Sequence, residues 1–207
     1  MTTKKISFDS YLTKAMSYTA YMALMRDLLS ENRTTGPNQS ADLVEYTRLN
    51  FYRMERLNKT IVLSDELQST LDMLNKRWTF LVITEAWCGD AAQCIPLMHA
   101  MSIASTGKID LKLVLRDENH ELMNQYLTNG GRAIPILICL ETDTLSPIGK
   151  WGPRPKPAQD MVIAFKQHPE VSYDDFKTQL HTWYAKDKTA AQQLEMVTLI
   201  AKWGRST

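Results

Sequence analysis

Glu85-Ala86-Trp87-Cys88-Gly89-Asp90-Ala91-Ala92-Gln93-Cys94-Ile95-Pro96 is the stretch around which the rest of the chain is arranged. It follows an apolar run, Trp78-Thr79-Phe80-Leu81-Val82-Ile83-Thr84, that reads as a buried strand. It opens a segment that reads as a helix. Cys88 is therefore expected where a strand ends and a helix begins. The orphan N–H groups of a first helical turn point at such a sulfur, and the positive end of the helix dipole favours the thiolate. The thiolate is the nucleophilic form, so the position predicts an exposed, reactive thiol.

Working outward, Leu111–Leu115 reads as a second strand. Ile136–Leu140 and Pro147–Trp151 read as an antiparallel hairpin across the turn at Glu141-Thr142-Asp143-Thr144. The helix after Cys88 carries Ile95, Met98, Met101 and Ile103 as apolar positions. Glu118–Leu127 reads as a short helix closed by Asn129-Gly130-Gly131, and Pro157–Gln167 as another. The central order is β-α-β-α-β-β-α. Upstream, one helix is predicted from about Phe8 to Leu29, followed by a polar loop from Glu31 to Ser40. A second begins near Ala41, with Leu43, Tyr46, Leu49, Met54 and Leu57 on one face. A third is capped by Ser64 and ends near Lys76. Downstream, Ser172 caps a helix through Tyr184, and Ala190–Lys202 forms a last one. There is no internal repeat.

Trp87-Cys88-Gly89, with Pro96 eight residues after Cys88 and Arg132-Ala133-Ile134-Pro135-Ile136-Leu137 farther on, resembles the thioredoxin family. The resemblance spans roughly Asn75 to His168. It implies an α/β, thioredoxin-like fold with a central mixed sheet, extended by N- and C-terminal helices. The expected division is an N-terminal helical extension over 1–74, a core over 75–168 and a C-terminal extension over 169–207. Trp87 to Gln93, together with Trp151-Gly152-Pro153-Arg154-Pro155, resembles more narrowly an uncharacterised group of bacterial thioredoxin-like proteins. Three positions depart from the family pattern. Ala91 stands where the second cysteine belongs, Asp90 where the intervening proline belongs, and Val82 where a buried carboxylate belongs.

Lys and Arg total 24 and Asp and Glu 23 in 207 residues, with the basic residues scattered. That balance argues against a nucleic-acid track or a membrane-binding stripe. Met1–Ser10 begins with positive charge but no apolar core follows, so no signal peptide is expected. Three cysteines make no disulfide framework. A cytoplasmic protein with reduced thiols is the expectation. The four histidines show no metal spacing, and no phosphate loop or Ser/His/Asp pattern is present. No metal or cofactor is expected; the oligomeric state is left open.

The candidate catalytic residues are Cys88, Asp90 and Cys94. Asp90 stabilises the first helical turn but disfavours a nearby thiolate, making Cys88 less acidic than its position alone would. Glu85 adds to that effect. Both carboxylates are expected to be solvated. Cys94 lies six helical residues on, about 9 Å away at 1.5 Å per residue. A disulfide needs roughly 4.4–6.8 Å, so Cys94 resolves a mixed disulfide only if the helix start unwinds. Cys139 reads as core.

The candidate binding residues are Trp87, Ile134, Pro135, Arg116, Arg154 and Trp151. The resemblance implies a cis Pro135, with Ile134 offering its backbone to an extended peptide. Arg116 is expected either to offset Asp90 or to pair locally with Asp117. Arg154 sits in a stiff loop suited to an anionic group. Trp151 walls a pocket or packs in the core. Trp87 reads as a partly exposed apolar contact.

The resemblance implies a thiol-disulfide oxidoreductase working mainly through Cys88 on protein or low-molecular-weight thiols and disulfides. The alternative is a non-redox thioredoxin-fold module that binds a partner protein or peptide. Peroxide reduction is a weaker third, because the Thr and Arg it needs beside the cysteine are not evident locally.

Overall fold

The computed structural model describes residues 7–168, 170 and 172–205; the reading of residues 1–6 lies outside them. Its centre is β1, Trp78–Thr84, in which every residue is buried. A strand covered on both faces shows no polar alternation. β2 (Ile109–Leu115) runs parallel to β1, and β3 (Ile136–Glu141) runs antiparallel to it. β4 (Pro147–Trp151) pairs antiparallel with β3, giving the order β2-β1-β3-β4. This mixed sheet with surrounding helices is the α/β fold expected from the element order.

The predicted first helix is two. α1 (Asp9–Leu12) and α2 (Tyr18–Ser30) are separated by Met16, which bridges Leu113 with N–H···O distances of 2.8 and 2.9 Å. β2 is an edge strand, and Met16 satisfies part of its open backbone. Ser17 then caps α2 by accepting from the Ala20 N–H. α3 (Ala41–Thr60) buries Val44, Phe51, Met54 and Leu57, while Leu49 is 49% exposed. Met54 and Leu57 face inward as predicted, Leu43 and Tyr46 are partly buried, and Leu49 alone of the predicted face turns outward. α4 (Asp65–Asp72) begins at Ser64 as expected and stops short of Lys76.

α5 (Gly89–Ala104) follows β1 directly and keeps Pro96 inside it. Ile103, predicted on its apolar face, is 66% exposed. The predicted Glu118–Leu127 helix is a 3₁₀ turn (Arg116–Glu118) followed by α6 (His120–Gln125). Asn119 interrupts it by turning its side-chain amide back to the Leu115 carbonyl at 2.7 Å.

α7 (Lys156–Gln167) and α8 (Tyr173–Asp187) pack together through stacked Phe165 and Phe176 rings 4.2 Å apart. α9 (Ala190–Arg205) closes the sheet's far side. Its Trp203 meets Trp78 and Phe80 edge-on at 6.2 and 6.4 Å. α9 also ties distant segments together. Gln193 accepts from the Ser64 N–H and donates to the Val62 carbonyl, and Gln192 donates to the Cys94 carbonyl.

Gly149 in β4 leaves the space that the Trp203 indole fills, and a Cβ there would overlap the ring. Overpacking of this kind costs about 1–3 kcal/mol. Gly149→Ala is therefore expected to lower the thermal midpoint by roughly 2–12 °C in a chain of this size. An unchanged midpoint would mean that α9 does not seat on β4 as described.

Candidate functional site

Cys88 is the N-cap of α5. β1 ends at Thr84, and a turn closed by the Cys88 N–H on the Glu85 carbonyl (3.1 Å) aims the next residues into the helix. The Ala92 N–H then bonds the Cys88 carbonyl at 3.1 Å. The sulfur makes no capping hydrogen bond to the helix, though the nearby Ala91 and Asp90 N–H groups favour its charged form, as its position predicts. It also faces the loop before β3, where the Ile134–Pro135 bond is cis. The thiol donates to the Ile134 carbonyl at 3.4 Å.

The sulfur is not open to solvent as the sequence suggests. Cys88 is 8% exposed. Burial, then the Asp90 charge, pushes the thiol up to about 12. The two N–H groups and Arg154 act in the opposite sense and are outweighed. At neutral pH the thiol therefore keeps its proton. Ile134 and Pro135 are themselves buried. The Cys88 thiol takes up one acceptor site of the Ile134 carbonyl.

Asp90 is buried, not solvated. Arg154 pairs with it, Nη2 to Oδ2, at 2.6 Å, and the Tyr184 hydroxyl donates to Oδ1 at 2.9 Å. Burial raises the carboxyl, while Arg154 and Tyr184 oppose that shift. Burial disfavours the charge on Arg154, but Asp90 more than offsets this and keeps it cationic. Arg154 is delivered by the loop after β4, whose Gly152 has φ +118° and packs against the Pro135 carbonyl with no room for a Cβ. Cys94 is fully buried within α5, its sulfur 3.9 Å from the Tyr184 oxygen. All three cysteines are free.

The other candidates fall elsewhere. Arg116 makes the local pair with Asp117 at 2.8 Å and lies 4.7 Å over the Trp87 ring. Trp151 is buried, its indole N–H on Glu195 of α9 at 2.6 Å. Glu85 is fully buried rather than solvated; burial raises its carboxyl, and Oε1 accepts the Asp117 N–H at 2.8 Å.

Beside the first turn of α5, a cleft of about 310 Å³ lies between α3, α5, α7 and α8. Arg53, Arg154, Lys166 and Lys177 border it, and Asp90 is its one carboxylate among the described residues. Tyr46, Trp87, Phe165, Tyr173 and Phe176 supply aromatic walls. Arg53 donates to Asn50 at 2.6 Å, and Asn50 donates to the Ala86 carbonyl at 2.9 Å. That chain of bonds fixes Arg53 to the turn carrying Cys88. His181 sits against Gly89, where a Cβ would come 2.9 Å from its ring.

Arg53, His181 and Tyr184 carry no motif. Their signal is spacing. Tyr46, Asn50 and Arg53 recur at i, i+4 and i+7 on α3, and Tyr173, Lys177, His181 and Tyr184 at i, i+4, i+8 and i+11 on α8. Two polar-aromatic stripes at helical period mark facing walls, but the fold is needed to bring them together.

His181 is pushed down to about 4 by burial, then by Arg53 and Lys177. The unfolded chain therefore binds the additional proton between about pH 4 and the ordinary histidine value near 6.5. Stability should rise with pH across that window. In His181→Asn, urea unfolding should show a shallower rise there. Identical pH dependence in both proteins would contradict the burial of this imidazole.

The family model Thioredoxin_9, described as "Thioredoxin", matches residues 36–168, more than half of the chain. A protein of unknown function, PA1234, from Pseudomonas aeruginosa superposes with a TM-score of 0.64 at 15% identity, over 96% of this chain and 98% of that one. An HIV epitope-scaffold superposes with a TM-score of 0.55 at 16% identity, over 90% of this chain and 98% of that one. At such identities these two likenesses speak to fold alone. No curated protein matches. No helix among the described residues is long and apolar enough to cross a membrane. With its mixed sheet, its Trp-Cys-Gly turn and its cis-proline loop, the chain belongs to the thioredoxin family.

Proposed function

We propose that this chain is a thioredoxin-fold binding module that works without redox chemistry. The observation that carries this reading is the buried Cys88 thiol, kept neutral by desolvation and by Asp90. Thiol exchange needs a thiolate that a disulfide can reach. Here the sulfur is covered, its proton is held on the Ile134 carbonyl, and Ala91 stands where a resolving thiol would be. An accessible feature beside Cys88 is the cleft, lined by Trp87, Gly89 and Asp90. In this reading Cys88 fastens the cis-proline loop to α5 and so shapes one end of the binding site.

A second reading, single-cysteine thiol exchange, is favoured by one arrangement. The sulfur sits at the N-terminus of α5 and faces the cis-proline loop. A proton-bearing partner that neutralised Asp90 would lower the barrier to thiolate formation.

Alkylation separates the two. With iodoacetamide near neutral pH, Cys88 should react at least about a hundredfold more slowly than free cysteine. Insulin disulfide reduction should stay at background in wild type and in Cys88→Ser. Fast alkylation together with Cys88-dependent reduction would overturn the binding reading. Asp90→Asn removes the second cause of the raised thiol and should speed alkylation. No acceleration would show that burial alone holds the proton.

A further inference from the structure

We propose that the cleft beside α5 binds a small aromatic monocarboxylate, with the carboxylate on Arg53 and the ring among Trp87, Phe165 and Phe176. The assignment rests on the binding-module reading and names its ligand class.

The charges around the cleft are not equivalent. Arg154 is engaged by Asp90 at 2.6 Å. Lys177 is held by Asp174 at 2.8 Å and by the Tyr46 hydroxyl at 2.9 Å. Lys166 is exposed at the end of α7. Arg53 differs from all three. It is half-buried, its hydrogen-bond partner is the neutral Asn50, and no carboxylate among the described residues lies within ion-pair distance of it. Burial and repulsion from Arg56 press against its charge, and Asp90, beyond ion-pair distance and already engaged by Arg154, offsets this only in part. A guanidinium withdrawn from water without a direct ion-pair partner is costly, and a bound anion relieves that cost. Its planar fork carries five donors and matches a carboxylate.

The same charges argue against a phosphate. A dianion calls for more than one available cation, and the Asp90 carboxylate borders the same space. The walls argue for a ring. Phe165 and Phe176 stack 10° from parallel, and Trp87 faces the cleft with its other contact to Arg116. Aromatic walls hold and orient flat ligands. A volume of about 310 Å³ suits one ring with a short arm and is small for a nucleotide.

Isothermal titration of the full chain with phenylacetate, its neutral isostere phenylacetamide and inorganic phosphate tests this. Phenylacetate should bind at least about tenfold tighter than the amide, and phosphate should not compete. Arg53→Met should weaken phenylacetate by at least about tenfold and leave the amide unchanged. Arg53→Lys, which keeps the charge and a similar stem, should retain a preference for the acid. Equal binding of acid and amide to wild type overturns the proposal without relying on any variant. So does competition by phosphate, wild-type affinity in Arg53→Met, or no binding of phenylacetate at millimolar concentration. If Cys88 alkylates slowly in that same sample, only the ligand class falls; rapid alkylation is what removes the binding-module reading.

Discussion

Asp90 lies in the first turn of α5 yet inside the molecule, and three separate parts of the chain meet on it. Its own helix brings it beside the Cys88 sulfur, the loop after β4 brings Arg154, and α8 brings Tyr184. A lone buried carboxylate at this depth would be expensive. Paired and hydrogen-bonded, it fixes the angle at which α8 and the β4–α7 loop lie against α5. That angle defines the cleft. Breaking such a pair from one side costs about 3–5 kcal/mol, because the remaining charge stays buried. The site and the packing of the C-terminal helices therefore stand or fall together.

The same carboxylate adds to burial in setting the chemistry. A cysteine at a helix N-terminus receives N–H groups and a favourable dipole, each worth a fraction of a kcal/mol to about 2 kcal/mol. Desolvation and a neighbouring negative charge work against it, and here they prevail. The family's geometry is kept, with strand, turn, helix and facing cis-proline, while the acidity of its leading sulfur is lost. Ala91, Asp90 and Val82 are the three departures in the motif, and Asp90 is the one whose consequence the structure makes physical.

Much of the fold could be read from residues alone because its signals are local. β1 is an unbroken apolar run, Ser64 and Ser172 are caps, and Pro147–Trp151 is bounded by turn residues. The misreadings arise where a distant partner intervenes. Met16 leaves a helix to serve the open edge of β2, and Leu49 and Ile103 face outward although Met54 and Leu57 on α3 and Ile95, Met98 and Met101 on α5 are buried as predicted. Cys88 and the facing proline loop were legible for the same local reason. The partner of Asp90 was not. Arg116 is closer in sequence, but the 3₁₀ turn after β2 commits it to Asp117 and Trp87, so Arg154 takes the place. Arg53, His181 and Tyr184 come from helices outside the motif, and only the assembled fold shows that their stripes converge.

The protonation state of one sulfur is the most direct measure of this account. Selective ¹³Cβ labelling of cysteine, with assignment by Cys88→Ser, allows that state to be followed by NMR as pH is raised. A Cys88 resonance that does not move until pH is well above about 9, past the range where ordinary thiols titrate, is the predicted result. A titration step at or below the ordinary cysteine value would contradict it, and would return the sulfur to the role its place in the fold first suggests.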